Sequence, residues 1–239
     1  MRVEVCANSL KSAQNAERAG AHRIELCAEL GVGGITPSAG LIRAVRNAVQ
    51  IPVYVLIRPR SGGFCYSDEE FELMKRDIAF CKDEGCSGIV SGILLSNMQL
   101  DATRTAELVQ LTGSMGFTFH RAFDWVPDPL ATLKELKNLG VMRILTSGQA
   151  TSAVEGLPLI TQLQSEFEGV VMAGGGINPN NVREFKNAGI REIHLSGSVG
   201  RASMAPPEIS MNSPKYLDET TVFYSDKALL ENVIRVAKA

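Results

Sequence analysis

Short apolar runs alternate along the whole chain with longer stretches whose apolar residues recur at helical spacing. The runs are Val3 to Cys6, Arg23 to Cys27, Val53 to Arg58, Gly88 to Ser91, Phe117 to His120, Arg143 to Ser147, Val170 to Ala173 and Glu192 to Ser196. Between them, residues such as Phe71, Met74, Ile78 and Phe80 mark one face of a helix that Ser67 or Asp68 would cap. Strand and helix in regular alternation predict a parallel sheet of βα units. Eight units in 239 residues predict an α/β fold, a single-domain (β/α)8 TIM barrel over residues 1–239.

Internal repetition sharpens this. Gly20 (GAHRIELC), Gly85 (GCSGIVSG), Gly140 (GVMRILTS) and Gly189 (GIREIHLS) each end a helix shortly before a strand. Glycine suits the left-handed cap after which the chain turns back to the sheet. All precede even-numbered strands, so the unit is a doubled βα pair. A closed barrel accommodates that repeat better than the alternative, an open doubly wound sheet. Residues 201 to 221, with Pro206, Pro207 and Pro214, read as a long loop before a final helix from about Asp226 to Lys238.

Composition removes several classes of function. With 24 basic and 26 acidic side chains, the charge of -2 provides no drive toward nucleic acid and no polybasic membrane patch. The apolar fraction of 45% is that of a soluble globular protein. The start, Met1-Arg2-Val3-Glu4, has no secretory h-region, so a cytoplasmic protein is expected. Five cysteines without a CxxC pair are then reduced thiols rather than a disulfide framework.

In a barrel, polar groups at the C-terminal strand ends form the site. Two strands carry the same pentad, Arg2-Val3-Glu4-Val5-Cys6 and Arg23-Ile24-Glu25-Leu26-Cys27. Period-two alternation puts Glu4, Cys6, Glu25 and Cys27 inside and the aliphatic residues under the helices. Their acids are either an ionic floor or acid/base groups. Arg58 and His120 share the inward parity of their strands, making Glu4, Glu25, Arg58 and His120 the catalytic candidates, with His120 titrating near working pH. His194 aligns with Glu25 in the repeat and is a weaker candidate, and His22 reads as a surface residue.

Glycine-rich turns after the last two strands, Gly174-Gly175-Gly176 and Ser196-Gly197, bring backbone N–H groups within reach of an anion. Ser147, closing the sixth strand, adds a hydroxyl. GxGxxG spacing is missing, so no dinucleotide or other organic cofactor is predicted. Cys6 and Cys27 approach each other if their strands are neighbours, and two soft thiolates would select Cu(I).

The motifs VEVCANS, RIELCAELGVGGITPS, IRPRSGGF, FHRAFD, ILTSGQA and GGGI together resemble the CutC family of copper homeostasis proteins across about residues 1 to 200. Ser61 stands where a glycine is frequent, and Cys65 is not at a family ligand position. The resemblance implies a cytoplasmic TIM barrel, a homo-oligomer (dimer or tetramer), and Cu(I) on Cys6 and Cys27. His120 is the candidate third ligand. Three functions compete: a Cu(I)-binding protein, an acid/base enzyme for a small phosphorylated or carboxylated metabolite, and a partner-binding barrel with a vestigial site. Each takes a metal or small-molecule ligand, with no nucleic acid or membrane partner.

Overall fold

Eight parallel strands close into a barrel in sequence order: β1 (Arg2–Ala7), β2 (Arg23–Leu26), β3 (Val53–Leu56), β4 (Gly88–Ser91), β5 (Gly116–Phe119), β6 (Arg143–Thr146), β7 (Val170–Gly174) and β8 (Glu192–Leu195), which pairs back onto β1. The structure is a computed structural model describing residues 1–205, 207–209 and 220–238. The helices α1 (Leu10–Arg18), α2 (Ala39–Ala48), α3 (Asp68–Asp83), α4 (Ala102–Thr112), α5 (Pro129–Asn138), α6 (Leu157–Glu166) and α7 (Val182–Asn187) each follow the barrel strand of the same number, and α8 (Lys227–Lys238) comes after a two-stranded ribbon that follows β8. This is a (β/α)8 TIM barrel.

Helix α3 shows how local sequence sets an element. Ser67 Oγ accepts from Glu70 N–H at 3.2 Å, and the Glu70 carboxylate accepts from Ser67 N–H at 2.9 Å. This reciprocal box satisfies two donors that would otherwise lack partners at the helix start. Its buried face is Phe71, Met74, Ile78 and Cys81, with Phe80 only half-buried. Helical geometry explains the replacement of Phe80, because Cys81 stands three residues from Ile78 on the same face.

Strand parity sorts the pentads. Val3, Val5, Ile24 and Leu26 are buried against the helices, while Glu4, Cys6, Arg23, Glu25 and Cys27 are buried inside the barrel. Arg2, at the strand's first position, remains largely exposed. At the floor, Arg23 bridges Glu4 and Glu192, and Arg143 Nε donates to Glu192 at 3.0 Å. Both guanidiniums lie over the Tyr54 ring, at 5.0 and 5.5 Å from its centroid. That ring occupies the space above Gly88 and Gly116, where a Cβ would overlap it. Glycine at two adjacent strands is therefore what admits the tyrosine.

The ends of the expected loop shift. β9 (Ser198–Ala202) and β10 (Thr221–Ser225) form an antiparallel ribbon pairing Ser198 with Ser225 and Ala202 with Thr221, so positions 201, 202 and 221 are strand, and most of what lies between them is outside the described residues. Val199, Val222, Phe223 and Tyr224 favour strand, a signal outweighed in the sequence by the prolines. Pro206 and Pro214 lie outside the described residues. The final helix is present, with Asp226 accepting from Leu229 N–H at 3.0 Å at its start.

Candidate functional site

A half-enclosed cavity of about 490 Å³ opens at the C-terminal ends of the strands. Cys6, Glu25, Arg58, His120, Gly175, Gly176, Ser196 and Gly197 all line it, as does His194. Glu4, Cys27, Gly174 and Ser147 do not.

Register assembles the centre of the site. Cys6 stands abreast of Glu25, and Glu4 abreast of His194. The His194 ring lies between two carboxylates, with Nδ1 2.9 Å from Glu4 and Nε2 3.4 Å from Glu25. Cys6 Sγ lies 3.5 Å from Cys27 Sγ. One ligand atom each from Cys6, Glu25 and His194 falls within 4.8 Å of the others, a set able to hold a metal ion.

Electrostatics divide the two acids. Burial opposes the charge on Glu4, but Arg23 and His194 outweigh it and lower its pKa to about 2. Glu4 is thus an anion of the floor, out of contact with the cavity. Burial raises Glu25 above the usual carboxylate range despite the attraction of His194. For His194, burial disfavours the imidazolium, but Glu25 and Glu4 together raise its pKa. The hydrogen bond it shares with Cys27, together with burial, pushes the Cys6 thiol well up. The resting site therefore holds a neutral Cys6 thiol beside an acid/base pair.

Arg58 and His120 follow β3 and β5 and line the same cavity. Arg58 Nη1 donates to the carbonyls of Val32 and Gly34 at 2.8 and 2.7 Å, and Nη2 to Gly62 at 2.7 Å. It pins two loops, leaving Nε without an acceptor among the described residues. His120 Nδ1 accepts from Ala122 N–H at 3.2 Å, and its ring packs on Phe64 at 4.8 Å. Burial, helped by Arg58, lowers its pKa to about 3. His120 is accordingly neutral, and it is absent from the Cys6–Glu25–His194 cluster, so His194 rather than His120 stands beside the thiols. It follows β5, elsewhere in the cavity lining. His22, expected at the surface, is half-buried and accepts from Val3 N–H at 3.1 Å.

Ser147 is turned away from the cavity. Its Oγ donates to Ala150 O at 2.7 Å and accepts from Arg121 Nη2 at 2.7 Å. Asp124 organises this corner, accepting from the backbone N–H of Ser147 and Gln149 at 3.0 and 3.2 Å and from Thr146 Oγ1. Donors of the loop after β6 thus converge on a carboxylate already in the protein. Gly174 also has a packing role: a Cβ there would stand 2.6 Å from Leu145 Cδ1 and 3.3 Å from His194 Cβ.

Sequence reasoning undervalued His194 and passed over Arg121 and Asp124. The period-two pattern from Glu192 marked His194 as inward. Nothing local marked Arg121, whose place in the cavity wall depends on Asp124 and Ser147.

Comparison with known proteins follows the same residues. A profile described as the CutC family matches residues 1–199. The chain belongs to the CutC family. A "Copper homeostasis protein cutC homolog" of Mus musculus is 50% identical over 204 residues, covering 84% of this chain and 75% of its own. A "family protein CutC" of Erwinia tasmaniensis is 44% identical over 243 residues, covering 99% and 97%. The crystal structure of CutC from Streptococcus agalactiae superposes with a TM-score of 0.78 at 32% identity, over 82% of this chain and 98% of that one. Thiamine phosphate pyrophosphorylase from Pyrococcus furiosus, 12% identical with a TM-score of 0.62 over 99% of this chain and 95% of that one, shares the fold alone. Every residue lining the cavity lies within the CutC family match.

Proposed function

We propose that this CutC family member serves copper homeostasis by holding Cu(I) as cargo on Cys6 and Cys27, with His194 as third donor. The observation that supports this is the 3.5 Å between the two sulfurs. Metal–thiolate bonds are about 2.3 Å, so both sulfurs can reach one ion. Thiolates and an imidazole favour a soft monovalent copper over hard cations. Binding must release the thiol protons, and the adjacent Glu25 can accept one while a neutral His194 is kept as ligand. In this reading the protein works in the reducing cytoplasm, where free thiols persist.

The test is competition for Cu(I) against a chromophoric chelator such as bicinchoninate. Wild-type protein should withdraw one equivalent, and the Cys6→Ser, Cys27→Ser double variant should withdraw none. Equal affinity in the two proteins would remove the thiols from the reading.

A second reading draws on the cavity, whose volume of about 490 Å³ exceeds what one ion needs. It is an acid/base enzyme for a small phosphorylated or carboxylated metabolite, with Glu25 and His194 exchanging the proton. Incubation with pooled phosphorylated and carboxylated metabolites, followed by NMR, should reveal turnover that Glu25→Gln abolishes. Turnover unaffected by that variant would discard it.

A further inference from the structure

Four backbone N–H groups in the cavity wall, those of Gly175, Gly176, Ser196 and Gly197, meet no acceptor among the described residues. They belong to the loops after β7 and β8, which are neighbours in the barrel. Gly175, Gly176 and Gly197 have φ of 120°, 77° and 54°, a region side chains disfavour and glycine permits. A Cβ on Gly175 would stand 3.7 Å from Arg121 Nη1, so that guanidinium borders the same corner. Arg121 Nε and Nη2 are engaged by Asp124 and Ser147, and Nη1 has no acceptor among the described residues. Glu25, on β2, is the one carboxylate among the cavity-lining residues. The corner therefore gathers four unpartnered N–H donors with a cation at its edge, groups of the kind that bind a tetrahedral oxyanion.

Two further donors in the wall are orphaned. His120 Nε2 and Arg58 Nε are buried without an acceptor among the described residues. Because Nδ1 accepts from Ala122 N–H, the proton of the neutral His120 ring sits on Nε2. A buried donor without a partner is costly to a fold, and a ligand oxygen would satisfy it. His120 and Arg121 are consecutive, so the orphaned imidazole and the oxyanion corner bound one volume.

We propose that the cavity binds a small phosphate monoester, its phosphate on the four amides and Arg121, and a hydroxyl or carbonyl oxygen of its carbon chain on His120 Nε2–H. Phosphate is favoured over carboxylate because two neighbouring loops supply several unpartnered donors, more than a planar carboxylate needs. The inference deepens the second reading and rests on its cavity, but it concerns binding and stands without turnover. His120 then acts as a fixed neutral donor instead of a proton carrier, the task falling to Glu25 and His194.

Amide NMR of the full chain, titrated with inorganic phosphate, reads the corner directly. Saturable shifts should centre on Gly175, Gly176, Ser196 and Gly197, and Arg121→Gln should weaken binding about tenfold or more. Shifts scattered over surface lysines and arginines, or none at these amides, would overturn the oxyanion site. Glycerol 3-phosphate should bind more tightly than propyl phosphate, and His120→Phe, which keeps the ring on Phe64, should erase the difference while leaving inorganic phosphate bound. Equal binding of the two esters to wild type would overturn the His120 contact. Because the readout is binding, failure of catalysis leaves it intact.

Discussion

His194 Nδ1 lies 2.9 Å from a Glu4 carboxylate oxygen, the two residues being abreast on β8 and β1. This contact couples the ionic floor of the barrel to the cavity above it, because the opposite edge of the same ring faces Glu25. Glu4 thereby sets the orientation and charge of a group that the cavity presents to a ligand.

Glu4→Gln should destabilise the protein by about 3–5 kcal/mol, since it leaves Arg23 buried with one carboxylate fewer. Urea unfolding measures the loss. A variant as stable as wild type would mean the floor does not depend on this charge.

Acid should weaken the fold in two stages. His120, lowered from 6.5 to about 3, binds a proton more readily when unfolded, so its contribution is complete above the ordinary value and lost as pH falls toward 3. Glu4, lowered from 4.5 to about 2, adds a second loss below its ordinary value. His194, raised, has the opposite sign: its contribution is lost as pH rises through its folded value. Imidazole NMR should find His120 protonated only on Nε2 at neutral pH, and a doubly protonated ring there would refute the assignment.

Gly116→Ala should cost about 1–3 kcal/mol through overpacking, because the nearest atoms to the new Cβ all belong to Tyr54. In a Tyr54→Leu background the added cost of Gly116→Ala should shrink. A double-mutant cycle with no coupling would contradict the packing described.

Asp124→Asn should loosen the loop after β6, whose donors at Thr146, Ser147 and Gln149 share its carboxylate. Hydrogen exchange at Ser147 and Gln149 should accelerate, with a stability loss of about 1–3 kcal/mol. Unchanged exchange would place the loop's order elsewhere.

Of the five cysteines, Cys65 is exposed and the other four are buried. A thiol reagent should modify one cysteine quickly in native protein and the rest only on unfolding. Fast labelling lost in Cys65→Ser confirms the order of burial.

Much of this was legible along the chain. All eight barrel strands lie at the expected runs, and the inward direction of Glu25 and Cys6 follows from alternation with Val5 and Leu26. The ribbon of β9 and β10 was missed because its two strands are distant in sequence and each is stabilised by the other.

Parity and capping are properties of neighbours on the chain, and period two and period 3.6 carried them into β1, β2 and α3 without reference to anything distant. Whether Glu4 is floor or cavity, whether His120 or His194 adjoins the thiols, and whether Arg121 reaches the glycine corner depended on register between strands and on partners up to 190 residues apart. Charge and hydrogen bonding act through space, so only the closed barrel, by bringing β8 beside β1, decided them.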